Sequence, residues 1–172
     1  SIGLGSTFRY KDFNASILVE GKMGGSFYSG TNNWYKVYGL HKDTVPAGGR
    51  EAGFTPDGVM EDGTVITTSI PHSKIEDYWA QTLNIGEENI YSSDYMRLRQ
   101  LSIGYNLPSD MLEGSFITNA TVSLIGRNLL LLSNSSDNID PESSYSAGNA
   151  VGLERAGMPV PRTIGLNINL KF

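Results

Sequence analysis

The chain contains two histidines, His41 and His72, and both fall in one long stretch scattered with Ser, Asp and Glu. A Ser-His-Asp arrangement needs a nucleophile held on a sharp strand-to-helix turn, and no such motif is present. Neither histidine has a second histidine or a carboxylate at metal-binding spacing. With no cysteine, thiolate metal centres, thiol catalysis and disulfides are all excluded. No catalytic residue, no resident metal and no cofactor is expected, so the chain reads as a non-enzyme. The oxygen-rich cluster Asp137, Asp140 and Glu142, with Asn134 and Asn138 nearby, has ligand types suited to Ca²⁺ but not the EF-hand spacing. Against calcium stands the plainer reading of a solvated turn bent by Pro141.

Two further groups are candidates for binding. Trp34, Tyr35, Tyr38, Tyr78 and Trp79 supply broad, rigid rings. Such rings stack on sugars and anchor protein interfaces, and they can equally pack a long loop onto itself. Arg97, Arg99 and Arg127 are cations on segments that otherwise read as strands; carboxylates of a neighbouring element are their expected partners.

The elements that must position these residues are β-strands. The composition is rich in Gly (20), Tyr (9) and Phe (6) and offers little for long helices. A net charge of −5 argues against nucleic acid as a partner. The longest purely aliphatic run, Leu129 to Leu132, is far short of the ~20 residues of a membrane-spanning helix. A barrel strand, however, crosses with only ~9–11 residues, alternate ones facing lipid. The chain opens at Ser1 without a leader sequence, which suggests a processed chain or a fragment.

Five segments alternate with period 2, near 2–10, 13–25, 91–106, 117–131 and 162–172. The clearest places Ile164, Leu166, Ile168, Leu170 and Phe172 opposite Thr163, Gly165, Asn167, Asn169 and Lys171. If Tyr105 faces lipid, strict alternation turns Arg97 and Arg99 outward, so both must lie above the bilayer or beyond a bulge. Connections alternate in length: Lys11-Asp12 and 107–115 are short, 26–90 and 133–160 long. Short turns at one end and long loops at the other characterise outer-membrane barrels. Aromatic residues at both ends (Tyr10, Phe13, Tyr105, Phe116 and Phe172; Phe27, Tyr28, Tyr91 and Tyr95) suggest two interfacial girdles. Within 26–90, Ser73 and Glu76 have capping-box spacing ahead of a helix over 73–83.

Four stretches in this order, Tyr10-Lys11-Asp12-Phe13, the run Tyr95 to Pro108 (YMRLRQLSIGYNLP), Gly126-Arg127-Asn128-Leu129, and Pro161 to Phe172 (PRTIGLNINLKF), resemble the closing barrel strands of the SusC/RagA family. Asp140-Pro141-Glu142 sits where that family tends to carry the same tripeptide. The resemblance implies an all-β fold: about five C-terminal strands of an antiparallel transmembrane β-barrel with long extracellular loops, in a barrel of roughly 22 strands around a plug. It also implies TonB-dependent import of a glycan or peptide nutrient across a Gram-negative outer membrane. The partners would be a SusD-like surface lipoprotein, TonB through an N-terminal part outside this chain, and the outer-membrane lipid. Ile164, Leu166, Ile168, Leu170 and Phe172 would form the assembly signal. The rival readings are a soluble β-sandwich carbohydrate-binding module and a small complete barrel.

Overall fold

The computed structural model describes residues 1–143 and 148–172, and within them the chain divides into two compact units. Unit 1 comprises Ser1–Gly25, Ser92–Ser136 and Pro159–Phe172; unit 2 comprises Ser26–Tyr91 and Asp137–Met158. Residues 144–147 of the 133–160 loop lie outside the described residues.

Unit 1 is a five-stranded antiparallel sheet. With strands numbered along the whole chain, it holds β1 (Ile2–Tyr10), β2 (Phe13–Lys22), β5 (Tyr95–Asn106), β6 (Asn119–Asn134) and β8 (Thr163–Lys171), in that spatial order. Every neighbouring pair is antiparallel. The β1–β2 turn consists of Lys11 and Asp12, with Lys11 in the left-handed region at φ 51°. At the other end β2 stops at Lys22, short of Gly25, because Gly24 and Gly25 take φ of 79° and 95°. Such angles break a ladder and suit glycine alone among common residues. The exit is tied by Gly24 N donating to Asp94 Oδ1 at 2.6 Å and Ser93 N to Gly25 O at 3.0 Å.

One face of this sheet has no apolar cover. Leu4 is 75% exposed, Ile164 70% and Leu166 67%, which a soluble sandwich would bury against a second sheet. The sandwich reading therefore fails on this face, and the chain forms a segment of a β-barrel wall. No helix is long and apolar enough to cross a membrane among the described residues, which says nothing of strands.

Unit 2 contains β3 (Ser26–Ser29), β4 (Ile90–Ser92) and β7 (Leu153–Glu154), with β3 central and parallel to β7. Two short helices follow the sequence, α1 (Gly30–Val37) and α2 (Ile75–Gln81). Ser29 caps α1, its Oγ accepting from Asn32 N at 3.0 Å, and Gly39 ends it at φ 67°. The interior is largely polar: Ser29, Asn32, Asn33, Lys36, His41, Asn89 and Glu154 are all buried. The long 26–90 stretch is therefore a folded body with its own hydrogen-bonded core.

The helix expected over 73–83 is present but begins differently. Lys74 N bonds to Pro71 O at 2.9 Å, closing a 3₁₀ turn over His72–Lys74 ahead of α2. That turn places Ser73 inside the helical run, where its hydroxyl cannot serve as the cap. The residue preceding α2, Lys74, makes no side-chain cap bond.

Candidate functional site

Residues paired directly across a ladder project to the same side of a pleated sheet. From the registers, one face of unit 1 carries Ile2, Leu4, Phe8 and Tyr10; Phe13, Ala15, Ile17 and Val19; Leu101, Ile103 and Tyr105; Ala120, Val122 and Leu124; and Ile164, Leu166, Ile168 and Leu170. Ser6 interrupts this apolar field. The other face carries Thr7 and Arg9, Asn14 and Ser16, Ser102 and Asn106, Thr121 and Ser123, and Asn167 and Asn169, with Leu18, Ile125 and Leu131 among its apolar members. Gly104, in register with Asn14 and Ser123, has no room for a side chain. An added Cβ would lie 2.5 Å from Asn14 Oδ1 and 2.7 Å from Ser123 Oγ.

Strict alternation would have put Arg97 and Arg99 among the apolar residues. The structure prevents this with a bulge. Leu18 pairs with Gln100 but Val19 with Leu98, leaving Arg99 as an extra residue in β5. On the other side Gln100 pairs with Arg127 and Leu98 with Leu130, and Asn128 between them takes φ 52°. The extra residue inverts the alternation, so Leu98 and Met96 join the apolar face and Arg97 pairs with Glu20 on the polar one. Arg99 Nε donates to Glu20 Oε2 at 2.6 Å and its Nη1 to Asn128 Oδ1 at 2.8 Å.

At the short-turn end the apolar face finishes in aromatic rings. Phe13 and Tyr105 lie 4.8 Å apart, Tyr10 is in register with Phe13, and Phe116 stacks on Phe172 at 5.6 Å. The corresponding girdle at the long-connection end does not form from the rings expected there. Tyr95 is in register with Lys22, on the polar side, while Phe27 packs on Tyr91 and Tyr28 accepts from Asn33 Nδ2, both within unit 2.

Within unit 2 the predicted aromatic residues separate into two groups. Trp34 stacks on Tyr38 at 5.6 Å, and both are exposed. Trp79 stacks on Phe54 at 5.7 Å, with Tyr78 edge-on to that same ring. Tyr38 and Trp79 meet at a cleft of about 440 Å³, lined also by Lys36, Arg50, His72 and Glu76. Tyr35 does not line it; its carbonyl closes the turn after α1 by accepting from Leu40 N and His41 N. Nothing in the linear pattern singles out Phe54 or Arg50. Each is brought in by a bond distant along the chain, Phe54 by its isolated antiparallel bridge with Ile70 and Arg50 by its guanidinium on Gly39 O. Burial raises the Tyr78 hydroxyl above its ordinary value, with Glu88 adding to the shift, so it stays a neutral donor.

The two histidines stand apart in role. His41 is buried; its Nδ1 accepts from Asp43 N at 3.2 Å and caps a short 3₁₀ turn. Burial lowers its pKa below the ordinary 6.5, opposed by the Asp43 carboxylate and assisted by the Lys36 ammonium. His72, exposed, bonds Arg50 O at 2.8 Å. The suggested calcium ligands do not converge. Asp137 Oδ2 pairs with Lys42 Nζ at 2.7 Å, while Asp140 Oδ1 accepts from Glu142 N to close a turn. No cluster of His, Asp or Glu suited to a metal occurs among the described residues.

No family model matches the chain. Two TonB-dependent receptors of Formosa agariphila are 26% and 30% identical to it over 179 and 182 residues. The matches cover 100% and 99% of this chain, which spans 16% of the length of each relative. Among solved structures, the RagAB peptide importer in its open-open and closed-closed states superposes with TM-scores of 0.63 and 0.62 at 19% and 20% identity. Those matches cover 99% of this chain and 17% and 16% of theirs, a likeness of fold. The two-faced sheet, the bulge that preserves it and these likenesses together make the chain a segment of a β-barrel wall, similar over its whole length to part of TonB-dependent receptors.

Proposed function

We propose that the chain forms part of the wall and surface loops of an importer in a Gram-negative outer membrane, driven by TonB and carrying a glycan or peptide nutrient. The carrying observation is the division of the sheet: an exposed apolar field on one side and every charged strand residue on the other. An apolar field of that kind suits lipid, and a hydroxyl- and amide-rich face suits an aqueous lumen or a plug. The unit 2 cleft, with Tyr38 and Trp79 as walls, is then the surface that meets solute or a SusD-like lipoprotein lid.

The reading is tested in cells carrying the full-length receptor. Uptake of labelled oligosaccharides and peptides is expected to stop without TonB. Trp79→Ala is expected to weaken solute or lid binding by roughly 1–3 kcal/mol while membrane levels hold. Uptake that persists without TonB would overturn the assignment; unchanged binding in Trp79→Ala would make the ring a packing element of its loop.

A further inference from the structure

Within unit 2, residues 54–70 form a hairpin arm that keeps one register from base to tip. At the base Phe54 and Ile70 exchange hydrogen bonds of 3.1 and 2.8 Å, and Val59 pairs with Val65 further out in the same register. Ile66 N donates to Gly58 O at 3.0 Å and Met60 N to Thr64 O at 2.7 Å, bracketing that second pair. Glu61, Asp62 and Gly63 make the turn, with Gly63 at φ 83°, as a three-residue hairpin loop requires. The base is held by the stack of Phe54 on Trp79 and by Gly53, where an added Cβ would lie 2.5 Å from Ile70 O.

The tip is apolar on both sides. Val59 and Val65, directly opposed, project to one side and are 62% and 70% exposed. Met60, half exposed, projects to the other. Apolar side chains grouped on an ordered arm mark an interaction surface, because little freedom is lost when they are covered.

Shape and charge define the occupant. A tip apolar on both sides is a knob, so its cover is concave, and a small solute offers no such pocket. Residues 54–70 hold Asp57, Glu61 and Asp62 and no Lys, Arg or His. None of the three acids makes an ion pair among the described residues. The Thr64 hydroxyl and amide donate to Asp62 Oδ1 at 2.7 and 2.9 Å and hold that carboxyl below its ordinary range, so it stays charged. Such a tip repels phosphorylated lipid headgroups. It also repels a second copy of unit 2, whose stretches 26–91 and 137–158 carry 13 Asp and Glu against 5 Lys and Arg. Basic groups around an apolar pocket complement it.

We propose that the 54–70 arm is a docking knob for a second protein, received in an apolar pocket rimmed by Lys and Arg. The inference rests on the reading of unit 2 as a surface body outside the cell. It gives protein contact to the arm and leaves the cleft to solute.

The test uses the full-length receptor in intact cells. Benzoylphenylalanine replaces Val59 or, separately, Val65, and light-induced adducts are identified by mass spectrometry. Both positions should join the same second protein. Met60→Asp, and Glu61→Lys combined with Asp62→Lys, should each lower that adduct about tenfold. Concentrated salt should act in the same direction. Met60→Leu should keep the adduct, and heat-modifiable migration reports that each variant is folded. No adduct, adducts only with the receptor itself, a second copy or lipid, or an undiminished adduct in folded Met60→Asp overturns the knob and leaves the import reading standing. Glu87→Cys, outside the arm, should react with a membrane-impermeant maleimide; failure to react overturns both.

Discussion

Arg99 Nε lies 2.6 Å from Glu20 Oε2, at the point where β5 gains one residue over β2. The pair locks the bulge from the polar side, and the bulge keeps Arg97 off the lipid-facing side. Inserting one alanine between Leu18 and Val19 should give Arg99 a partner in β2, close the bulge and turn Arg97 and Arg99 onto the apolar face. A cation there costs ~2–4 kcal/mol near the bilayer midplane and less toward its margin. The insertion should sharply reduce folded receptor in outer membranes, scored by heat-modifiable migration, whereas Arg99→Gln, which keeps the residue count, should lower it far less. Equal levels for the two would mean the register does not depend on the extra residue.

Adjacent residues of β8 should respond oppositely to the same substitution. Leu166→Arg places a charge among Leu124, Ile164 and Ile168 and is expected to destabilise by about 2–4 kcal/mol at mid-depth. Asn167→Arg faces Ser123 and should be nearly neutral. Lipid-phase quenchers should reach a label at 166 and not one at 167. Equal quenching at both positions would contradict the two-faced sheet.

His41 should make unit 2 sensitive to acid. Its pKa is lowered in the folded state from 6.5, so both states are neutral above that value and no stability is lost. As pH falls below 6.5 the unfolded form takes up the proton first, and stability declines until pH passes the folded pKa. Limited proteolysis of the full receptor should cut within 26–91 more readily at about pH 5.5 than at about pH 7.5. His41→Asn, whose side-chain oxygen can still accept from Asp43 N, should flatten that difference. An undiminished difference in the variant would assign the acid response elsewhere.

Phe172 stacks on Phe116 at the short-turn end, each more than 70% exposed. If the alternating Ile164, Leu166, Ile168, Leu170 and Phe172 act as an assembly signal, Phe172→Asp in the full-length protein should leave precursor in the periplasm. Phe172→Tyr should assemble, because an amphipathic ring still suits the interface. Wild-type membrane levels for Phe172→Asp would end the signal argument.

What could be read from the sequence was what depends on local period. The alternation over Thr163–Lys171 sets inside from outside without reference to any neighbour, and the structure keeps it. The conflict at Arg97 and Arg99 was visible as two cations in the wrong phase, but the location of the extra residue depends on partners in β2 and β6. Unit 2 was the opaque part. Its interior is built from Ser29, Asn32, Asn33, Lys36 and Glu154, residues that in a linear reading announce a solvated loop. Polar cores carry no hydrophobic period, so their partners emerge only from contacts far apart in sequence.

Glu154 illustrates this. Its buried carboxylate accepts from Ser29 Oγ at 2.7 Å and Thr31 Oγ1 at 2.5 Å, from residues more than a hundred positions away, and from Gly157 N at 3.1 Å. β3 and β7 run side by side at the same place. The two long connections are therefore a single inheritable cassette: a loop exchanged alone between related receptors would arrive with an unmatched acid or a set of unmatched hydroxyls. Transplanting a binding preference from one receptor to another would require moving 26–91 and 137–158 together.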